Sequence, residues 1–120
     1  MKNRLLWLAM AATATFSALS PLAQANDTWP SRPVKLVVPF SPGGGTDIVA
    51  RAIGQKLGTR LGQPVVIDNK PGAGGVGAGE AVAKATPDGH TLLLMSNGTA
   101  VSAGLFKSLP FNPRTDFAPV

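Results

Sequence analysis

Three short stretches of this sequence combine glycine with small polar residues, a composition suited to binding an anion through the backbone. Residues 41–46 read SPGGGT, residues 69–75 read NKPGAGG, and residues 97–99 read NGT. Each stretch follows an apolar run and precedes a helical pattern. The free N–H groups and partial positive charge of a helix start attract anions. The stretches therefore predict either three tight connections or one anion site built from backbone.

Side chains that could perform covalent or acid–base chemistry are few. Ser41 and Ser96 lie in or beside the glycine stretches, but neither stands in a G-x-S-x-G motif. His90, the only histidine, precedes a strand at the edge opposite the loops, and we interpret it as a turn or surface residue. Asp47 opens a helix and Asp68 ends a strand. Placement on the helix dipole and a salt bridge are their simplest roles, and a catalytic pair is the alternative.

The composition argues against several classes of protein. With no cysteine, disulfides, thiolate metal sites and a cysteine nucleophile are excluded, and no carboxylate cluster has metal-ligand spacing. The net charge is +5, but the basic residues are dispersed and aromatics make up only 6%, so nucleic-acid binding is not expected. Residues 72–77, GAGGVG, match the dinucleotide motif only formally. Lys70 and Pro71 separate them from the strand, and we expect no cofactor.

The order of predicted elements is β-α-β-α-β-α. Strands are predicted at residues 34–40, 65–68 and 91–96, and helices at 47–61, at about 76–85 and after 97. Nearly continuous apolar strands joined by helices predict an α/β fold, a parallel sheet with helices on both faces. In such a sheet all strand-to-helix loops lie at the carboxyl edge, where ligands bind.

The first predicted helix carries an apolar stripe, which we expect to pack on the sheet. The stripe consists of Ile48, Ala52, Ile53, Leu57 and Leu61. Gly54 and Gly58 weaken the helix but allow a close approach to the sheet.

The amino terminus has the pattern of a secretory signal peptide. A basic start, MKNR, precedes an apolar stretch at residues 5–19 that is short for a membrane span, and residues 23–25, AQA, form a cleavage site. We predict a cleaved signal at residues 1–25 and a mature, periplasmic chain from residue 26. A membrane anchor or a buried helix is the alternative.

Three separated blocks of the mature part resemble a known family. They are WPSRPVKLVVPFSPGGGTDIVAR, GQPVVIDNKPGAGGVGAGEAVAKATPDGHTLLL and LPFNPRTDFAPV. Together they resemble the amino-terminal part of Bug-type receptors, the extracytoplasmic substrate-binding subunits of tripartite tricarboxylate transporters. The resemblance covers nearly all of residues 29–120. It implies a flytrap of two α/β domains that captures a small organic anion, often a carboxylate, and delivers it to a membrane permease.

The resemblance also implies which residues bind the ligand. Three loops would form the first domain's wall, with these residues: Phe40, Ser41, Pro42, Gly43, Gly44, Gly45, Thr46, Asp47, Asn69, Gly72, Ala73, Gly74, Gly75, Ser96, Asn97, Gly98 and Thr99. Many family members have alanine in the first of these loops. The Ser41 hydroxyl is a departure that could tune the pocket.

Family members continue well beyond the point where this sequence ends. We therefore expect residues 26–120 to be the amino-terminal part of the first domain, with the second domain absent, either as a fragment or as a truncated product. The alternative function is a secreted α/β enzyme, hydrolase-like, that acts on a small anion through Ser41 or Ser96. Chemical turnover of the ligand distinguishes the two.

Overall fold

The computed structural model describes residues 28–120, so the predicted signal peptide at residues 1–25 lies outside the described residues. The elements are β1 (Val34–Val38), α1 (Gly45–Leu61), β2 (Val65–Asn69), a 3-10 turn (Ala73–Gly75), α2 (Val76–Ala83), β3 (Thr91–Leu93) and α3 (Asn97–Leu105). The predicted order and the α/β class are confirmed. β1 ends two residues early because Pro39 has no N–H to continue the ladder. β3 ends three residues before the predicted boundary.

The three strands form a parallel sheet in the order β2-β1-β3. β1 is central, and Val34, Val37 and Val38 are all less than 2% exposed. A strand rich in valine suits this position, because a central parallel strand is covered on both faces. The ends of the three strands that lead into helices lie together at the carboxyl edge.

The face of α1 that packs on the sheet is not the predicted apolar stripe. Ile48 and Ile53 are 61% and 47% exposed, whereas Asp47, Ala50 and Gly54 are buried. The prediction failed because small residues, not large ones, set the closest approach to the sheet. An added Cβ at Gly54 would lie 3.3 Å from Ile67 Cδ1. The predicted close packing at this glycine is thus confirmed, and Ala50 joins Leu36 and Val38 in the core.

The second helix contacts β3 and β1 and is itself covered by the carboxyl-terminal segment. Phe111 is 6% exposed and lies against Gly79, where an added Cβ would come 2.5 Å from the ring atom Cζ. Phe117 contacts Phe111 edge-on, with ring centroids 5.5 Å apart. The irregular tail is therefore anchored by an aromatic ring that requires glycine beneath it. Within residues 28–120, no helix has both the length and the apolar character that crossing a bilayer requires.

The amino edge of the sheet holds His90, which lies in the bend before β3, as one of its two predicted roles requires, but not at the surface. Its backbone carbonyl accepts from Lys35 N–H at 2.8 Å, which confirms that it lies away from the glycine loops. The side chain is only 5% exposed, and the Trp29 ring covers it edge-on at 5.8 Å. Its Nδ1 lies 3.2 Å from the carbonyl oxygen of Asp88. Trp29 buries the imidazole, a contact between segments that local sequence does not reveal.

Candidate functional site

The carboxyl edge of the sheet carries a pocket bounded by all three strand-to-helix connections. They are loop L1 (residues 39–44) before α1, loop L2 (residues 70–75) before α2, and loop L3 (residues 94–96) before α3. The pocket encloses about 390 Å³. It is lined by Pro39, Phe40, Ser41, Pro71, Gly72, Ala73, Gly74, Gly75, Ser96 and Gly98. Eight of these ten were predicted ligand-binding residues, so the structure brings part of each predicted loop to one place.

Gly75, which lines the pocket, brings L2 against L1 and the start of α3. Its φ of +86° favours glycine, and an added Cβ would lie 2.8 Å from Thr99 Oγ1 and 3.1 Å from Pro39 Cβ. L2 can therefore meet L1 and the start of α3 only because this residue has no side chain. A Cβ at Gly98 would similarly lie 3.1 Å from the carbonyl oxygen of Gly74. These two glycines are explained by packing, whatever the ligand.

The start of α1 lies at the end of L1 and lacks a side-chain cap. Gly44 is the N-cap, and its carbonyl accepts the first helical bond from Ile48 N–H at 3.0 Å. Helix geometry leaves the N–H groups of the first turn without partners inside the helix. The start of α3 differs, because Ser96 Oγ accepts from Thr99 N–H at 3.3 Å. Of these two helix ends, the start of α1 therefore has more backbone N–H groups free to bind an anion.

Nine predicted site residues do not line this pocket. They are Pro42, Gly43, Gly44, Gly45, Thr46, Asp47, Asn69, Asn97 and Thr99. Pro42 and the glycines continue L1 away from the pocket wall toward the start of α1. Asn69 ends β2, and Asn97 and Thr99 belong to the first turn of α3. Thr99 is fully buried and shares a 3.2 Å contact between its Oγ1 and Ser96 Oγ.

Asp47 is held by three donors behind L1. Its Oδ2 accepts from Arg51 Nε and from Gly43 N–H, each at 2.9 Å, and its Oδ1 accepts from Asn69 Nδ2 at 2.9 Å. The hydrogen bonds from Arg51, Gly43 and Asn69, in that order of effect, lower the pKa of the carboxyl well below its ordinary value. The hydrogen bond between Arg51 and Asp47 also raises the pKa of Arg51. Asp47 is therefore an anion at neutral pH with both oxygens in use.

The two carboxylates considered as a catalytic pair each have cationic partners instead. Asp68 Oδ2 lies 3.9 Å from Lys35 Nζ and 3.7 Å from Lys70 Nζ, the expected salt bridge. Asp47 pairs with Arg51. Within residues 28–120, no group of three or more His, Cys, Asp or Glu side chains is placed to hold a metal ion.

Sequence reasoning missed two kinds of residue at this edge. Pro39 and Pro71 also line the pocket. The only feature of the sequence that indicated them was that each follows closely after a strand. Arg51, an ordinary exposed helix residue by pattern, donates from Nη2 to Asn69 Oδ1 at 3.3 Å. Its spacing of four residues from Asp47 was the available signal.

The fold is a parallel α/β sheet with a backbone-lined pocket at its carboxyl edge, and comparison with known proteins identifies the family. Residues 49–120 match the TctC family, the tripartite tricarboxylate transporter family receptor. A UPF0065 protein of Bordetella pertussis is 51% identical over 100 residues, which are 82% of this chain and 31% of that protein. BugT of the same organism is 44% identical over 109 residues, 89% of this chain and 33% of BugT. This chain belongs to the tripartite tricarboxylate transporter receptor family, and it spans about a third of the length of these relatives.

Solved structures show the same relationship. The periplasmic binding protein BugD is 45% identical with a TM-score of 0.72, over 76% of this chain and 30% of that one. MatC (Rpa3494) from Rhodopseudomonas palustris, solved with bound malate, is 49% identical with a TM-score of 0.66, over 77% of this chain and 32% of MatC. R. palustris Rpa4515, solved with adipate, is 41% identical with a TM-score of 0.68, over 72% of this chain and 29% of Rpa4515. The parallel sheet described above is thus shared with periplasmic binding proteins.

Proposed function

We propose that this chain forms one wall of the ligand cleft of a periplasmic receptor that captures a small organic carboxylate. One observation carries the proposal: L1, L2 and L3 meet around a single pocket at the carboxyl edge of a parallel sheet. This edge is where ligands bind in open α/β folds. Two relatives that share the fold were solved with malate and with adipate, both carboxylates.

In this proposal the backbone, not a cationic side chain, recognises the anion. None of the described residues that line the pocket is charged, and the guanidinium of Arg51 is engaged by Asp47 and Asn69. The Ser41 hydroxyl is exposed in L1 and lines the pocket, whereas the first-turn N–H groups of α1 lie beyond it at the end of the same loop. A carboxylate must extend from the pocket along L1 to reach them. All seventeen predicted residues remain candidates, but they divide into those that line the pocket and those that shape it.

The wider role follows from family membership. We propose that residues 1–25 direct the chain to the periplasm, that a second domain supplies the opposite wall of the cleft, and that the loaded receptor delivers its ligand to the membrane permease of a tripartite tricarboxylate transporter. The periplasmic relative BugD supports the location. The family description supports the link to the transporter.

The enzyme alternative has little support in the described residues. The hydroxyl of Ser96 is used as the N-cap of α3, and its hydrogen-bond partners within residues 28–120 both belong to Thr99. His90, the only histidine of the sequence, lies at the amino edge with its ring under Trp29. The family is one of receptors. We therefore propose binding without turnover.

The test is a ligand screen on the longest product of the reading frame that encodes this chain. Malate and adipate are added in thermal-shift assays. The Kd of each acid that raises the Tm is measured by calorimetry, and the acid is then recovered and identified by NMR. The dimethyl esters of the same acids are the matched controls, because they keep the carbon skeleton and lack the charge. We expect saturable binding of at least one acid, none of its ester, and unchanged recovered ligand. Equal binding of acid and ester, or conversion of the acid, would refute the proposal.

A further inference from the structure

A cluster of three side chains that do not line the pocket ties L1 to the end of β2. We call Asp47, Arg51 and Asn69 the clasp. Asp47 is only 2% exposed, although it stands in the first turn of a helix on the protein surface. Its Oδ2 holds Gly43 N–H in L1 at 2.9 Å, and its Oδ1 holds Asn69 Nδ2 at 2.9 Å. The carboxylate therefore bridges two segments that are distant in sequence.

Asn69 completes the connection from the other side. Its Nδ2 also donates to the carbonyl oxygen of Phe40 at 3.0 Å, and its Oδ1 accepts from Arg51 Nη2 at 3.3 Å. L1 is thus fastened at both ends, through Phe40 and through Gly43. Phe40 itself lines the pocket. The position of this part of the pocket wall depends on Asn69.

We propose that the clasp residues are positioning residues that hold L1 in its ligand-binding shape, and that they do not contact the ligand. This inference rests on the proposed function. Both oxygens of Asp47 are occupied, and its negative charge would repel an anionic ligand at contact distance. The clasp instead fixes L1, which carries Ser41 and leads into the first turn of α1, so that this part of the wall need not be ordered on binding.

The decisive variant is Asp47→Asn, made in the longest product of the reading frame that encodes this chain. All three partners of Asp47 are donors: Gly43 N–H, Arg51 Nε and Asn69 Nδ2. An asparagine amide has one oxygen and one NH₂ group, so either orientation sets at least one donor against another donor. The clasp must open on one side. We expect the Kd for malate to rise about ten-fold or more, because the loop must then be ordered on binding.

The matched control is Asp88→Asn at the amino edge of the sheet. Asp88 also accepts from an arginine, Arg32 Nη2 at 2.6 Å, and from a backbone N–H, that of His90 at 3.0 Å. It lies away from the pocket, so its loss should leave the Kd for malate unchanged. A loss of affinity in both variants in proportion to lost stability would indicate a general structural effect and overturn the proposal.

Asn69→Ala is the second variant, and it keeps the test valid if Asp47→Asn does not fold. Where both fold, the double variant should bind malate about as weakly as the weaker single variant, because the two residues act through one connection. Hydrogen exchange at residues 43–46 should be faster in both variants with no ligand present.

The remaining outcomes separate this inference from the proposed function. Tighter malate binding by Asp47→Asn would mean that the carboxylate faces the ligand, and unchanged binding would mean that the clasp has no role. Either result overturns the inference. If the unaltered protein binds no carboxylate, the proposed function fails. In that case, unchanged hydrogen exchange at residues 43–46 in the variants would separately refute the positioning role of the clasp.

Discussion

Replacing Gly44 by alanine should lower carboxylate affinity while leaving the fold intact. Gly44 has φ −76° and ψ 166°, a conformation open to any residue, and an added Cβ would meet only Ser41 O at 3.6 Å, an ordinary contact. A Gly→Ala change at a compatible position stabilises a protein by about 0.4–1 kcal/mol through the unfolded chain. Gly44 is the N-cap of α1, where alanine is less favourable than glycine, so this gain is offset and the free energy of unfolding should change little. The new methyl group, however, would project into the open space at the start of α1.

The expected loss of affinity follows from the bond at risk. If a ligand carboxylate accepts hydrogen bonds from the first turn of α1, a methyl group there would lengthen or block one. A hydrogen bond to a charged group contributes about 1.5–3 kcal/mol, so affinity should fall by roughly ten- to a hundred-fold. Calorimetry with malate, together with thermal denaturation of the same preparation, measures the two effects. A loss of affinity with little change in stability cannot be attributed to unfolding.

The control is Gly77→Ala in α2, where an added Cβ meets nothing within 4 Å. It should leave the Kd unchanged. Gly58, within α1 itself, is unsuitable as a control, because a Cβ there would lie 3.2 Å from the carbonyl oxygen of Gln63. Gly74→Ala should also weaken binding, but its φ of +64° adds a strain of about 1–2 kcal/mol. An unchanged Kd in folded Gly44→Ala protein would show that L1 is a turn without a role in anion binding.

Three further predictions concern packing, pH and processing. Gly79→Ala should destabilise the fold by about 1–3 kcal/mol in urea denaturation, because its Cβ overlaps Phe111, and Phe111→Leu in the same chain should recover part of the loss. The pKa of Asp88 is lowered to about 2, first by the His90 N–H and then by Arg32, from an ordinary 3.8. Its contribution to stability is therefore present above about pH 4 and lost toward pH 2, so Asp88→Asn should flatten that part of the stability curve. In a Gram-negative host the chain should be cleaved after Ala25, and amino-terminal sequencing should read Asn-Asp-Thr-Trp; a membrane-bound product that keeps Met1 would contradict this.

The sequence by itself determined the elements, their order and the edge where the glycine loops meet. These features are local or follow from general rules. A valine-rich run such as β1 predicts a buried strand, and a βαβ order predicts parallel pairing with every strand-to-helix loop at one edge. The convergence of L1, L2 and L3 needed no knowledge of side-chain contacts. Their position at one edge follows from topology, and the glycine at residue 75 permits their close contact.

The tertiary structure decided which side chains those loops and helices use. α1 packs through Ala50 and Gly54 rather than Ile48 and Ile53, because close approach to Ile67 selects small residues over large ones. The link between Asp47 and Asn69 joins residues 22 apart in sequence, and they meet only because α1 packs beside β2. Hydrogen bonds and steric limits of this kind depend on distances between elements. Neither composition nor periodicity encodes those distances, which is why the pocket's location was predictable and the clasp behind it was not.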